Sequence, residues 1–284
     1  MTPCLFASDL HGQRDRYEKL FAAIAAEAPA AVFLGGDLLP SWFRSRQEDA
    51  PGFGVGFLAP RFGELRSALG TRYPRVFLIL GNDDCRSEEP GILEGSAAGL
   101  WEYVHGRRAA FEGFSVCGYN CVPPTPFRLK DWERYDISRY VDPGCVSPEE
   151  GSHTTPVLEH ELRFATIEKD LELLLHDQPM ERAILLLHSP PHDTALDRAA
   201  LDGKEVDHTP LDVHVGSIAI RRIIEARQPL LTLHGHIHES ARLTGSWSQR
   251  IGRTLCLSAA HDGPELALVR FDAADPAGAA RQLI

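Results

Sequence analysis

Five short stretches of the chain hold residue types that bind metals or move protons. They are Asp9-Leu10-His11, Gly35-Gly36-Asp37, Gly81-Asn82-Asp83-Asp84, His188, and His234-Gly235-His236-Ile237-His238. Aspartate, asparagine and histidine together form the oxygen and imidazole donor set that suits Mn, Fe or Zn. Two donors from one stretch can meet a single ion only if both side chains leave the backbone on the same side. Alternate residues of extended backbone do so, which pairs Asp9 with His11 and sets His234, His236 and His238 on one side. Simpler explanations exist for each stretch alone: Asp9 as a helix cap, Asp37 and Asn82 as turn residues beside glycine, the histidines as satisfied core residues. Five such stretches in similar positions are better explained together, by a metal centre.

The elements that must position them are legible as apolar runs. Cys4–Ala7, Ala31–Leu34, Val76–Leu80, Ala183–Leu187 and Leu230–Leu233 have the length of buried strands, and each is followed by one of the polar stretches. Between the first two, Tyr17, Leu20, Ile24 and Ala28 recur at helical spacing, as do Leu158, Leu162 and Ala165, and then Ile220, Ile223 and Ile224 before Pro229. Alternating strands and helices predict an α/β protein, and ligands of such sheets bind outside the carboxyl ends of the strands. From 241 to 272, Leu255–Leu257 and Leu266–Val269 have no helix between them and suggest an antiparallel meander. The expected organisation is one domain over 1–272 with a tail, 273–284, that frays at Ala273–Gly278. Residues 119–157 contain six prolines and the aromatics Phe127, Trp132, Tyr135 and Tyr140. A connection of that length suggests a cap or insertion whose aromatic faces stack on a flat leaving group, with a packed surface loop as the alternative.

Composition narrows the classes. With 284 residues, 43% of them hydrophobic, and a net charge of −11, the chain can bury a sizeable core and is a poor match to extended nucleic acid, which requires basic surface. No run approaches the ~20 apolar residues of a membrane span, and no basic segment precedes an apolar one at Met1–Ala7, so neither membrane insertion nor secretion is expected. Six cysteines without a Cys-x-x-Cys pair suit a reducing, cytoplasmic setting. An anionic substrate suits so acidic a protein only if bound cations reverse the sign of the field locally.

In order and spacing, Asp9-x-His11, Gly35-Gly36-Asp37, Gly81-Asn82, His188 and Gly235-His236-x-His238 resemble the five signature blocks of the calcineurin-like metallophosphoesterases. The resemblance spans residues 4–270. The stretches His188–His192, Val215–Ser217 and His236–Ser240 resemble most the branch of predicted phosphoesterases related to Icc. What the resemblance implies is a four-layer αββα sandwich, two mixed β-sheets flanked by helices, with a two-metal site. By the family pattern Asp9, His11, Asp37 and His238 would hold one ion, and Asp37, Asn82, His188 and His236 the other. Mn is the metal expected first, with Fe or Zn as alternatives. Two such ions, about 3.5–4 Å apart, activate a hydroxide for attack on a phosphoric ester. The implied partner is a small phosphorylated substrate, nucleotide-like ones included.

The chain departs from that family at Asp83, where many members carry a histidine that serves the leaving group. A carboxylate beside two cations stays ionised and has no proton to give. That points to diesters with good leaving groups rather than monoesters, and it leaves His192, four residues past His188, as the proton donor to consider next. Relatives without this histidine include active phosphodiesterases and a scaffold subunit of retromer, so a non-catalytic binding protein is the alternative function. Retention of all seven implied ligands favours the hydrolase. Ser258-Ala259-Ala260-His261 replaces a common Asn-Pro-Gly-Ser, with His261 a surface residue or an added site group. His208, His214 and His234 are weaker site candidates. Arg86 is a phosphate contact or a solvated surface residue, and His105, His153, His160 and His176 read as surface.

Overall fold

The computed structural model describes residues 1–42 and 52–284. In chain order, β1 (Pro3–Ala7), α1 (Arg14–Glu27), β2 (Ala31–Gly35), α2 (Ala59–Leu69), β3 (Arg75–Ile79), α3 (Glu89–Ala97) and β4 (Glu102–Tyr103) lead into a hairpin of β5 (Arg108–Phe111) and β6 (Phe114–Tyr119). The second half comprises α4 (Glu159–Phe164), α5 (Ile167–Leu175), β7 (Ala183–Leu187), a short hairpin of β8 (Glu205–Val206) and β9 (Thr209–Pro210), α6 (Ile218–Arg227), β10 (Leu231–His234) and α7 (Ser240–Thr244). Four strands close the chain: β11 (Ser248–Ile251), β12 (Thr254–Ser258), β13 (Ala267–Asp272) and β14 (Asp275–Leu283).

Two mixed six-stranded sheets result, ordered β14-β13-β1-β2-β3-β4 and β11-β12-β10-β7-β6-β5. β1 to β4 are parallel in one and β6, β7, β10 and β12 in the other, and antiparallel strands close every edge except that of β4. Side chains alternate along each central strand, so every strand serves two cores. Phe6, Phe33, Phe77, Ile184, Leu186, Leu231 and Leu233 fill the space between the sheets. Leu5, Val32, Leu34 and Leu78 face outward and pack with helical residues such as Tyr17, Leu20 and Ile24, while Leu185 and Leu187 do the same with Leu171, Ile220 and Ile224. Each such fully buried side chain contributes about 1.5–3 kcal/mol of transfer free energy. Because the central strands in each sheet are parallel, their carboxyl ends emerge at one edge of the sandwich, where loops from both sheets meet.

The structure corrects several expectations. Leu255–Leu257 and Leu266–Val269 are not neighbours in a meander: β12 lies beside β10 in the second sheet, while β13 crosses to the first and pairs antiparallel with β1. Both are buried strands, and an apolar run does not say which sheet receives it. The segment 273–284 is not a frayed tail. It turns at Ala273-Ala274 and pairs with β13 from Ala267↔Leu283 to Arg270↔Ala280. Its many small residues give no periodicity to read, and Pro276 is tolerated because the strand lies at the sheet edge. His105 is half-buried rather than a free surface residue. Its Nδ1 accepts the Asn120 amide at 3.0 Å, its ring lies 5.1 Å from Trp132, and burial, helped by nearby arginines, pushes its pKa down to about 3.

Residues 120–157 form no helix or paired strand, yet they are packed. Lys130 and Glu133 form an ion pair with both side chains fully buried, and Glu133 also accepts from Thr125 N and Oγ1. Trp132, at 1% exposure, sits between the Arg86 guanidinium and His105. Tyr135 is buried with its hydroxyl on Glu149, so Trp132 and Tyr135, two of the aromatics expected to face a substrate, face the protein; Phe127 and Tyr140 are exposed. Trp132→Ala should therefore act as a core truncation, costing about 3–5 kcal/mol in urea unfolding. A loss below about 1 kcal/mol, together with a changed KM, would restore the cap.

Candidate metal centre

The polar stretches at the strand ends converge, but not by the alternation expected of extended backbone. Asp9, His11, Asp37 and His236 all have positive φ, at 57°, 46°, 51° and 75°. Left-handed backbone costs a non-glycine residue roughly 1–2 kcal/mol. Main-chain bonds between the first two loops hold it: Asp9 N donates to Gly36 O at 3.0 Å, His11 N to Asp37 O at 2.8 Å and Gly12 N to Leu38 O at 2.9 Å. The carboxylates brace the other loops in turn. His236 N donates to Asp9 Oδ1 at 2.9 Å, and Asp83 N to Asp37 Oδ1 at 2.8 Å.

Two groups of donors result. Asp9, His11, Asp37 and His238 each offer an atom within 4.8 Å of the others, and so do Asp37, His188 and His236. Asp37 belongs to both. Its Oδ2 lies 3.3 Å from His188 Nε2 and 3.8 Å from His11 Nε2, while His238 Nε2 lies 3.3 Å from Asp9 Oδ1 and 3.1 Å from His11 Nε2. Asn82 is buried in the loop after β3. Asp9 Oδ2, Asn82 Oδ1 and His188 Nε2 are buried with no hydrogen-bond partner. Leaving three such atoms unsatisfied costs about 1–3 kcal/mol each, and a lone pair buried without a donor is what a cation satisfies. His188 is oriented for that: its Nδ1 lies 2.7 Å from Gly35 O and keeps its proton, so Nε2 is the nitrogen that faces a cation once its own proton is displaced. The residues present therefore fit a pair of metal ions.

Two glycines make the close approach possible. A Cβ at Gly81 would stand 2.3 Å from Asp37 Oδ1 and 2.5 Å from His188 Nε2, and one at Gly235 would stand 2.0 Å from Ser8 Oγ and 2.6 Å from Asp9 Oδ2. Any side chain at either position displaces the donors.

Burial alone would raise both carboxylates, but neighbouring imidazoles outweigh it. His238 and His188 bring Asp9 down to about 2, and His188 with His11 holds Asp37 below the ordinary carboxylate range. Reciprocally, burial would lower His11 and His188, yet Asp83, Asp37 and Asp9 around the first, and Asp37 and Asp9 around the second, raise each to about 9. His236, for which burial dominates, is pushed down to about 3. Without metal, the positive charge the two aspartates require is carried by protons on histidine.

The other candidates fall elsewhere. Asp83 sends Oδ2 to His11 Nδ1 at 3.1 Å and accepts Ser41 Oγ on Oδ1 at 3.2 Å. His192 is half-buried, with Nε2 3.4 Å from Asp212 and its ring 6.0 Å from His214, and it belongs to neither donor group. His214 bonds Asp197, His208 is exposed, and His261 pairs with Glu265 at 3.0 Å. His234 is a core residue with both nitrogens engaged, by Ser189 O and Thr232 Oγ1. Arg86 lies over Trp132 and pairs with Glu89 rather than standing free for a phosphate. Sequence reasoning gave no role to Asp84. It is fully buried and accepts from Leu39 N at 2.7 Å, Gly81 N at 2.8 Å and Leu38 N at 3.1 Å, tying the Asp37 loop to the Asn82 loop. The buried Arg16 was missed as well; it donates to Asp9 O at 2.6 Å. A charged residue directly beside a motif was the available signal in the first case, and an arginine on the apolar face of α1 in the second.

Residues 2–240 match the model of the calcineurin-like phosphoesterases. The chain belongs to that family. Among solved structures, the Thermus thermophilus protein TT1561 is similar over 99% of this chain and 98% of its own, at 17% identity and a TM-score of 0.56. A dimetal phosphatase from Danio rerio is similar over 94% and 91%, at 14% identity and a TM-score of 0.50. At such identities the likeness is one of fold. No curated protein matches the chain. The phosphoesterase fold here has no helix, among the described residues, long and apolar enough to cross a membrane.

The protonated histidines make a testable statement about metal uptake. Mn2+ must displace protons held to about pH 9 on His11 and His188, so its affinity should climb from about pH 6.5 to 9 and level off above, with protons released into a weakly buffered solution. The same raised groups stabilise the metal-free fold fully below their unfolded value near 6.5, and that stabilisation is lost as pH rises through about 9. The Tm of metal-free protein should therefore fall across this window. An affinity independent of pH between about 6.5 and 9, measured by calorimetry, contradicts the proton-for-metal exchange.

Proposed function

We propose that this phosphoesterase is a binuclear-metal hydrolase of small phosphodiesters. The observation that carries the reading is the pair of donor groups that share Asp37, together with three buried atoms that lack a hydrogen-bond partner: Asp9 Oδ2 and His188 Nε2 within those groups and Asn82 Oδ1 in the loop after β3. Asp9, His11, Asp37 and His238 would hold one ion and Asp37, Asn82, His188 and His236 the second, with Mn as the first choice and Fe or Zn as alternatives. When bound, two such ions lower the pKa of the attacking water and offset the charge of the phosphoryl group, so an anion binds an acidic protein.

The chain's own residues do the rest. Gly35 O receives the outer nitrogen of His188 and keeps its inner nitrogen directed at the site. Asp37, braced by the Asp83 amide, keeps one carboxylate shared between the two donor groups. Position 83 supplies no proton to a departing alkoxide, because its carboxylate is an acceptor from both His11 and Ser41. Its negative charge also opposes a dianionic monoester more than a monoanionic diester. Both effects favour diesters whose leaving groups depart without help. His192 would act as a proton donor only by turning away from Asp212.

Metal analysis joined to matched substrates tests the reading. The wild type should bind two Mn2+ per chain, Asp37→Ala should lose both and Asn82→Ala only one, since Asp37 is shared. Bis(p-nitrophenyl) phosphate should be hydrolysed faster than p-nitrophenyl phosphate. A stoichiometry of one ion, or an Asp37→Ala protein that keeps two, rules out the binuclear centre. Two bound ions without turnover of either ester would instead mark a metal-bearing binding protein, and faster monoester cleavage would reverse the substrate preference.

A further inference from the structure

His11 differs from His188 in how its ring is held. The Nδ1 of His188 is fixed inside the core by a main-chain carbonyl, Gly35 O, at 2.7 Å. His11 sits on left-handed backbone with a partly exposed side chain, and no carbonyl among the described residues accepts from its ring. Its outer nitrogen meets the Asp83 carboxylate instead, at 3.1 Å, and its inner nitrogen faces His238 and Asp37. Asp83 is itself held: Ser41 Oγ donates to its second oxygen at 3.2 Å, and its amide donates to Asp37 Oδ1 at 2.8 Å. One residue thus reaches two members of the first donor group, by side chain and by main chain.

We propose that Asp83 is a positioning residue for His11: it accepts the Nδ1 proton, fixes the tautomer and aims Nε2 at the site, so the residue that stands beside Asn82 serves metal affinity rather than the leaving group. The inference rests on the metal-centre reading above. A carboxylate behind a ligating imidazole fixes the ring and raises the basicity of the inner nitrogen, and losing such a partner typically weakens metal binding roughly 10–100-fold. The effect falls on one ion, because His11 belongs only to the group with Asp9, Asp37 and His238.

Co2+ titration of the metal-free protein, followed by visible absorption and by calorimetry, gives the two affinities without any assay of turnover. Asp83→Ala should weaken one Co2+ by roughly 10–100-fold and alter its absorption bands while the other ion binds as in the wild type. Asn82→Ala should weaken the opposite ion, which identifies the sites. Asp83→Asn keeps an oxygen for the Nδ1 proton and should recover most of the loss. The inference is overturned if Asp83→Ala binds both ions with wild-type affinity, or if both affinities fall together with the Tm of the metal-free protein, which would mark a structural role. A wild type that binds no Co2+ removes the metal-centre reading itself, a result distinct from either.

Discussion

Asp9 and Asp37 are both withdrawn from water, at 0% and 3% exposure, and stand close enough that the charge of Asp37 opposes ionisation of Asp9. Two buried negative charges side by side are among the most expensive arrangements a protein can hold, because burial removes the hydration that stabilises each of them. Positive charge must be supplied at the same spot. His11 of the Asp9 loop and histidines from two further loops converge there for that reason, and the remaining unusual features follow from the convergence. Donors crowded this closely leave no room for a Cβ at Gly81 or Gly235. They also need backbone that turns more sharply than a strand allows, hence the left-handed residues, which the surrounding main-chain bonds hold in place.

The supporting shell is as specific as the donors. Asp84 joins two loops through three backbone amides, Arg16 reaches from α1 to the Asp9 carbonyl and on to Gly263, and His234 fixes the carbonyl of Ser189 next to His188. Each is a polar group spent inside the protein to set the direction of another. The site is therefore stiff in the plane where five strands end, and its precision comes from both sheets at once: Asp9, Asp37 and Asn82 follow strands of one, His188 and His236 follow strands of the other. Ions bound between them would bridge the two halves of the sandwich.

Much of this was legible in the residues. The five buried strands, the helix after β1 and the donor-bearing ends were each visible as an apolar run closed by a polar stretch, and that pattern placed the candidate donors at one edge of an α/β sheet system. What was not legible has definite physical causes. Same-side projection of Asp9 and His11 was argued from extended geometry, whereas positive φ at both produces the convergence, and nothing in an Asp-Leu-His stretch announces it. The hairpin Arg108–Tyr119 alternates too weakly to be recognised, and β14 is nearly featureless because its contacts are main-chain bonds. Trp132 looked like an exposed platform because aromatic residues among prolines suggest a loop, and only the tertiary structure reveals the buried Lys130–Glu133 pair and the Arg86 guanidinium beneath it. His105 was similarly hidden, since a lone histidine carries no sign of burial.

The pairing of β1 with β13 has a consequence for synthesis. Phe6 lies opposite Val269, so one flank of the first strand made waits for a partner about 260 residues downstream. On a ribosome adding roughly 5–20 residues per second, that interval is tens of seconds at the slower rate. Through it β1 and β2 can pair, but an apolar strand with an unsatisfied edge remains open to other chains. The Asp9 loop springs from that same strand, so the residues that gather the most charge in the finished protein belong to the part of the chain that stays incomplete longest. An edge that stays open until β13 emerges is thus built into the strand order.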